Sequence, residues 1–196
     1  MFKYKVIKKA VSYDLANFVF NYFKLKRETC KYLIDNKVSL KGYNRMIPFI
    51  DMFDTKIFGT WTDEQVPGTF SCYSDSVMET LLIKLIPVMK KETGLDLLPT
   101  YSYARLYKKG DELKRHKDRA SCEISTTLHL GGEPWPLFIS ENKEEKTKGI
   151  KVILDVGDML VYSGCELEHW REPLEGDICA QVFLHYNHVN GPFAEK

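Results

Sequence analysis

The second half of the sequence is a series of short β-rich runs, and this feature limits the possible folds most narrowly. From about residue 99 onward the runs are TYSYARLYK, EISTTLHL, WPLFIS, IKVILDV, DMLVYSG and CAQVFLHYNHV, separated by Gly, Pro, Asp or Asn. β-Branched and aromatic residues are enriched in strands, whereas those four separating residues favour turns. Six or more short strands at close spacing predict an antiparallel sandwich or barrel rather than alternating strands and helices.

Two helices are predicted before this region. Residues 14–25 place their apolar side chains on one helical face, with Ser12 or Asp14 as the N-cap. Residues 75–93 carry the stronger helical pattern and are predicted as the second helix. Helices followed by many short strands predict an α+β fold, with the helices packed against the strands.

The second helix also carries start and stop signals. Ser76 and Glu79 have the spacing of a capping box, and Gly94 stands where a helix is expected to end. The preceding residues 40–74 have no helical period, so they are interpreted as loops and short strands that cover the sheet, or as a lid over a substrate. The length of 196 residues is that of one domain.

Composition and charge exclude several classes of protein. The formal net charge is +1, with 28% charged and 44% hydrophobic residues, so no strong field draws the chain to nucleic acid or to a membrane. No apolar run approaches a membrane span, and the start MFKYKVIKKAV lacks the apolar core of a signal peptide. The five cysteines are scattered without a C-x-x-C pair. These features predict a cytoplasmic protein with no nucleic-acid or membrane partner.

The most informative polar motif is the His-x-Asp pair in ELKRHKDRA. If this segment is extended, His116 and Asp118 project to the same face, because strand side chains alternate. A third metal ligand is then expected from another strand, and His169 in ELEHWREP is the candidate. Two histidines and one carboxylate are the ligands of non-haem Fe(II) oxygenases. Zinc catalysis is an admissible alternative, as is a zinc site built from Cys165, His169 and Cys179.

The residues around these positions resemble a known family. RLYKKGDELKRHKD is similar to the Y-x-x-G-x-x-(apolar)-x-x-H-x-D block that opens the catalytic core of prolyl 4-hydroxylases, which are 2-oxoglutarate- and Fe(II)-dependent dioxygenases. VGDMLVYSGCELEHWREPLEG resembles their later block, in which Gly-Asp precedes an apolar strand, a turn and the distal histidine. STTLHL resembles the strand that carries a cosubstrate contact. The resemblance covers about residues 99–188.

This resemblance implies a fold, a ligand set and a reaction. The implied fold is a single dioxygenase domain over 1–196, with a double-stranded β-helix (jelly-roll) core at 99–188 and helical support and cover from 1–98, the helices packing on one sheet. His116, Asp118 and His169 would bind Fe(II), and Tyr107 would contact 2-oxoglutarate; ascorbate is a further cofactor to consider.

The implied reaction hydroxylates an unactivated C–H bond and releases succinate and CO2. A prolyl residue in a peptide or protein is the favoured substrate. A free amino acid or another side chain is the alternative substrate, and a non-catalytic metal-binding barrel is the alternative to an enzyme.

One element of the family pattern is missing. The far carboxylate of 2-oxoglutarate normally meets Arg or Lys on the strand after the distal histidine, since a buried carboxylate needs a charge-assisted partner. In GDICAQVFLHY that position holds an isoleucine or a cysteine. Arg171, two residues after His169 and on the same face of a strand, is the favoured replacement, with His129 assisting. Lys151 is a third candidate cation, and Gln181 offers a neutral hydrogen bond.

Other residues compete for roles in the site. His185 and His188 in FLHYNHV are alternative third ligands, although the Gly-Asp lead-in precedes only His169. Aromatic residues are candidates for the surface that binds the substrate. These are Trp61, Trp135, Trp170, Tyr43 and Tyr73.

Overall fold

The computed structural model describes residues 2–35, 58–140 and 148–194. In chain order its elements are β1 (Tyr4–Ile7), α1 (Tyr13–Asp35), β2 (Phe70–Tyr73), α2 (Ser76–Thr93), β3 (Leu97–Lys108), β4 (Leu113–His116), a 3-10 turn (Ala120–Cys122), β5 (Ile124–Gly132), β6 (Leu137–Ser140), β7 (Ile150–Val152), β8 (Met159–Ser163), β9 (Glu168–Arg171) and β10 (Ile178–His188). The prediction of two helices and a later run of short strands is confirmed. Neither of the two described helices has the length and apolar character needed to span a membrane.

The first helix is longer than its apolar pattern predicted. Ser12 caps it, because the Ser12 Oγ accepts a hydrogen bond from the backbone N–H of Leu15 at 3.2 Å. The buried face continues beyond residue 25 as far as Cys30. No glycine or proline interrupts the segment, so the helix runs on to Asp35.

The second helix begins with a different cap from the one predicted. The Asp75 carboxylate accepts hydrogen bonds from two backbone N–H groups of the first turn, so the capping box of Ser76 and Glu79 is wrong. Glu79 instead accepts hydrogen bonds from the backbone N and the Oγ of Ser102 on β3, at 2.8 and 2.7 Å. The predicted end at Gly94 is confirmed by its left-handed φ of 70°.

The strands form two antiparallel sheets. The large sheet has the order β1-β8-β5-β10-β3-β2, and the small sheet has the order β4-β9-β6-β7. Both helices pack against the large sheet, which confirms the predicted α+β architecture with the helices on one sheet. The core at this interface includes buried apolar residues from both helices and from the central strands, among them Val19, Phe23, Leu82, Leu85, Leu128, Val161 and Val182.

The N-terminal half contributes strands as well as helices: β1 was not predicted, whereas β2 falls in the segment 40–74, which was interpreted as loops and short strands. β1 pairs with β8 at one edge of the large sheet, where Tyr4 lies opposite Tyr162. β2 pairs with β3 at the other edge, where Phe70 lies opposite Leu106. Of the predicted cover segment 40–74, positions 40–57 lie outside the described residues, and the remainder includes β2. Edge strands of four residues are short enough that their own sequences carry little β signal.

Candidate active site

The three predicted metal ligands lie together at the small sheet. His116 ends β4 and lies opposite His169 of β9 in the register of these strands. Asp118 Oδ1 is 3.7 Å from His116 Nε2 and 3.6 Å from His169 Nε2, and one ligand atom from each residue lies within 4.8 Å of the others. Within the described ranges this is the only such group of three His, Cys, Asp or Glu side chains. The alternative zinc site with Cys165 and Cys179 is therefore not formed.

Backbone carbonyl groups orient both imidazoles. His116 Nδ1 lies 2.8 Å from the carbonyl oxygen of Lys114, and His169 Nδ1 lies 3.1 Å from that of Leu167. Because a carbonyl oxygen only accepts, each Nδ1 carries the proton and each Nε2 keeps its lone pair on the side of Asp118. Two neutral imidazole nitrogens and one carboxylate oxygen are the donors of facial-triad iron sites. The three side chains therefore fit a divalent metal ion.

The ionisation states of these groups also suit a cation. Burial raises the pKa of the Asp118 carboxyl, but the contacts with His169 and with the Ser125 hydroxyl outweigh burial and hold this pKa well below its usual range. Burial, together with the neighbouring His169, lowers the pKa of His116. At neutral pH Asp118 is a carboxylate and His116 is a neutral base, which are the forms that bind metals.

A cavity of about 520 Å³ lies between the two sheets and reaches the three ligands. The large sheet contributes Tyr101, Tyr103, Phe183 and His185 to its wall, and the small sheet contributes Leu113 and Leu137 beside the histidines. Aromatic and aliphatic side chains share the wall with several polar and charged ones, among them Arg105, Lys117 and Arg119. Such a cavity is large enough for a small cosubstrate together with one side chain of a second molecule.

A buried arginine lies next to this cavity without an acidic partner. Arg171 is 1% exposed and shares the buried face of β9 with His169, as the sequence predicted. Its guanidinium donates hydrogen bonds to the carbonyl oxygen of Trp135 and, at 3.3 Å, to the Oγ1 of Thr127, which lines the cavity. Its Nε has no hydrogen-bond partner, and no carboxylate of the described residues pairs with it. A buried, unpaired cation is costly, so this site suits the carboxylate of a ligand.

Tyr107 and Gln181 lie near this arginine. The Tyr107 hydroxyl accepts a hydrogen bond from Arg105 at 3.3 Å, and its ring packs edge-on against Trp135. The Gln181 Oε1 accepts a hydrogen bond from the Thr127 hydroxyl at 2.9 Å. The Thr127 proton is therefore engaged, and its oxygen remains an acceptor for Arg171. Tyr107 and Gln181 are both buried beside Arg171 and do not themselves line the cavity.

His129 and Lys151 do not reach the cavity. The two ring nitrogens of His129 lie 3.0 and 3.1 Å from the carbonyl oxygens of Leu154 and Gly131. Burial lowers the pKa of His129, while the hydrogen bonds with these two carbonyl oxygens act in the opposite direction. Lys151 lies on β7 with its side chain exposed, in a separate groove. His129 therefore contacts backbone carbonyl groups rather than the cavity, and its assisting role stays a prediction.

The sequence patterns did not predict the second buried arginine at the site. Arg105 is 6% exposed; its Nε donates a hydrogen bond to the Asp63 carboxylate at 2.7 Å, and its Nη2 donates one to Gln65 at 2.6 Å. The Tyr103 hydroxyl also donates to Asp63, at 2.7 Å. Strand alternation in TYSYARLYK places Arg105 on the same face as Tyr107, which was a usable signal. Unlike Arg171, Arg105 has an acidic partner and stabilises the cavity wall.

Only part of the predicted aromatic surface faces the cavity. Tyr73 lines it, whereas Trp61 and Trp135 pack in apolar clusters elsewhere. Trp170 stacks on a phenylalanine of β6, at 5.6 Å between ring centroids. It follows His169 in β9, so its side chain points to the opposite face of the strand, as expected. Tyr43 lies outside the described residues.

The alternative third ligands lie on β10. His185 faces the cavity, but its Nδ1 lies 3.0 Å from the Oγ of Ser125. His188 is the last residue of the strand and does not line the cavity. The structure thus groups His169, and neither of these two histidines, with the other two ligands.

Comparisons with known proteins identify the fold that carries this site. No model of a protein family matches the chain, and no curated protein matches it in sequence. Among solved structures, a prolyl-4-hydroxylase of Pseudomonas putida superimposes with a TM-score of 0.57 at 14% identity, covering 96% of this chain and 94% of that one. The viral collagen prolyl hydroxylase of Paramecium bursaria Chlorella virus-1, solved as a complex with 2-oxoglutarate, superimposes with a TM-score of 0.56 at 11% identity. The match covers 95% of this chain and 97% of that one.

A third structural relative catalyses a different reaction. A non-haem α-ketoglutarate-dependent epimerase of nogalamycin biosynthesis gives a TM-score of 0.60 at 9% identity, covering 96% of this chain and 78% of that one. Because these relatives differ in their reactions, the likeness defines the fold rather than the substrate. The chain has the double-stranded β-helix fold of the 2-oxoglutarate/Fe(II) oxygenases, as its sequence resemblance implied.

Proposed function

We propose that this protein is an Fe(II)- and 2-oxoglutarate-dependent dioxygenase that hydroxylates an unactivated C–H bond. The observation that carries the proposal is the convergence of His116, Asp118 and His169 on the wall of a cavity. Fe(II), 2-oxoglutarate and dioxygen would supply the oxidation, with release of succinate and CO2. Three protein ligands leave half of an octahedral coordination sphere for the cosubstrates.

The role proposed for Arg171 is to bind the distal carboxylate of 2-oxoglutarate. Its unpartnered Nε supports this role, because a carboxylate there would satisfy a buried donor and neutralise a buried charge. Thr127 holds the guanidinium at one side, and the hydroxyl of Tyr107 is available as a further donor. Leu113 and Leu137 line the cavity beside the metal ligands and add apolar surface to it.

The substrate that we propose is a prolyl residue in a peptide or protein. Among the described residues that line the cavity, Asp118 is the only carboxylate, and it is assigned to the metal. A free amino acid would bring an ammonium group that needs an acidic partner, whereas a residue within a peptide has none. The rings of Tyr73, Tyr101 and Phe183 offer apolar surfaces that suit a pyrrolidine ring.

Anaerobic addition of Fe(II) and then 2-oxoglutarate tests the class of enzyme. We expect a weak visible charge-transfer band, because chelation of the metal by the keto acid needs the open positions that the three ligands leave. The band is measured by absorption spectroscopy and should saturate at one equivalent of metal. Zn(II) in place of Fe(II) is the control and should give no band. An absent band with bound Fe(II) would point to a binding barrel or a hydrolase.

Succinate release under air tests the substrate class. We expect proline-rich peptides to stimulate 2-oxoglutarate turnover several-fold above the level without peptide, because a prolyl ring can reach the aromatic wall without an ammonium group. The same peptides with proline replaced by alanine serve as the matched control. Stimulation by free amino acids alone would contradict the peptide substrate while leaving the enzyme class intact.

A further inference from the structure

A buried serine–histidine pair lies behind Asp118, the ligand that carries the negative charge of the site. Ser125 of β5 and His185 of β10 face each other in the register of adjacent strands. Ser125 is fully buried, and His185 is 6% exposed. The Ser125 Oγ lies 2.6 Å from Asp118 Oδ2 and 3.0 Å from His185 Nδ1. The three side chains form a hydrogen-bonded chain from the last strand to the ligand.

The direction of this chain follows from the number of protons. The Ser125 hydroxyl has a single hydrogen, and its shortest contact is with the Asp118 carboxylate, which only accepts. The other acceptor within reach is the carbonyl oxygen of Cys122, which is farther away at 3.1 Å. Ser125 therefore donates to Asp118 and accepts from His185. The proton of the His185 ring must then be on Nδ1.

A glycine gives this chain the room that it needs. A Cβ at Gly164, in the turn after β8, would clash with Asp118 Oδ2 and would lie 2.6 Å from the Ser125 Oγ. The carbonyl oxygen of Gly164 also accepts a hydrogen bond from the backbone N–H of Asp118 at 2.9 Å. Gly164 thus fixes the Asp118 backbone while leaving Oδ2 accessible to Ser125.

We propose that His185 is a positioning residue that acts through Ser125 to hold Asp118 as a metal ligand through one oxygen only. With Oδ2 engaged, Oδ1 remains for the metal, and Oδ1 is the oxygen that faces the Nε2 atoms of both ligand histidines. A carboxylate free to turn can bind a metal through both oxygens and occupy a further position. The inference rests on the proposed function, which requires that position for 2-oxoglutarate or dioxygen.

Three variants of the full chain test the proposal, with Mn(II) as the probe. His185→Asn keeps an N–H donor near the place of Nδ1, whereas His185→Leu and Ser125→Ala break the chain at its two links. We expect the Kd for Mn(II), measured by electron paramagnetic resonance of the free ion, to rise about ten- to a hundredfold in the two broken variants. In His185→Asn it should stay within about threefold of the wild-type value.

The visible spectrum of bound Co(II) reports the coordination itself. In His185→Leu and Ser125→Ala we expect the ligand-field bands to change, because a released Asp118 alters the number or placement of the oxygen ligands. His185→Asn should keep the wild-type spectrum. His188→Asn, on the same strand but away from the cavity, is the matched control and should keep both the affinity and the spectrum.

Two results would overturn the proposal. One is wild-type Mn(II) affinity with an unchanged Co(II) spectrum in the broken variants. The other is a loss of Mn(II) affinity in His185→Asn equal to that in the broken variants. This would assign the effect to the size of the imidazole ring rather than to its N–H donor. If His185→Leu does not fold, as judged by circular dichroism, the comparison of Ser125→Ala with His185→Asn decides. A wild-type protein that binds neither metal would contradict the proposed function instead, so the two failures are distinguishable.

Discussion

Replacing His169 with alanine is expected to weaken Fe(II) binding by more than a hundredfold and to reduce 2-oxoglutarate turnover to background. His169 is 3% exposed, and the carbonyl oxygen of Leu167 fixes the orientation of its ring. Loss of an outer partner of a metal ligand typically costs about ten- to a hundredfold in affinity, so loss of the ligand itself is expected to exceed that range. Metal titration and succinate formation measure the two effects.

The matched control for this experiment is another histidine of the chain. His188→Ala removes an imidazole from the end of β10, outside the cavity, and should bind Fe(II) like the wild type. Circular dichroism of both variants verifies that the fold is kept. Wild-type affinity in a folded His169→Ala would contradict the ligand assignment and the proposed enzyme class with it.

The placement of the proposed metal ligands was predictable in part, because it depends on local geometry. Strand alternation was the predicted reason for the pairing of His116 and Asp118, but β4 ends at His116, and Asp118 lies just beyond it with its backbone N–H bonded to the carbonyl oxygen of Gly164. The same alternation places Arg171 beside His169 on the buried face of β9. The two sequence blocks that resemble the prolyl 4-hydroxylases contain the strands that carry His116 and His169. These strands, β4 and β9, are neighbours in the small sheet.

The partners of the site were not predictable, because they depend on contacts between distant segments. Ser125 and His185 meet only because β5 and β10 are adjacent in the large sheet, although they are 60 residues apart. Asp63 lies in a loop without a pattern of its own, yet it pairs with Arg105. His129 shows the converse case, since its strand was correct but carbonyl groups of other segments surround its ring.

The fold shows the same division between local and distant information. The apolar period and the glycine after α2 define that helix from nearby residues alone. Its N-cap was wrong because Glu79, suited to a capping box, bonds to Ser102 on β3. The edge strand β1 was missed because its pairing with β8 spans most of the chain. A tertiary contact changes the local preference in each of these cases.

Replacing Arg171 with alanine is expected to raise the apparent KM for 2-oxoglutarate at least tenfold, with a smaller effect on Fe(II) affinity. A hydrogen bond to a charged group contributes about 1.5–3 kcal/mol, which corresponds to roughly ten- to 150-fold in affinity. Arg171→Met retains an apolar side chain of similar length against Trp135 and removes only the charge and the donors. The affinity for 2-oxoglutarate should therefore fall to a similar extent in both variants.

Titration of the visible band under anaerobic conditions gives the Kd for 2-oxoglutarate, and succinate formation gives the KM. Lys151→Ala is the matched control, because it removes a cation that lies outside the cavity on the exposed strand β7. Removal of an unpaired buried charge should leave the free energy of unfolding of Arg171→Met equal to or above that of the wild type. A folded Arg171→Met with wild-type affinity for 2-oxoglutarate would show that the distal carboxylate is bound elsewhere, and Arg105 on β3 would then be the next cation to replace.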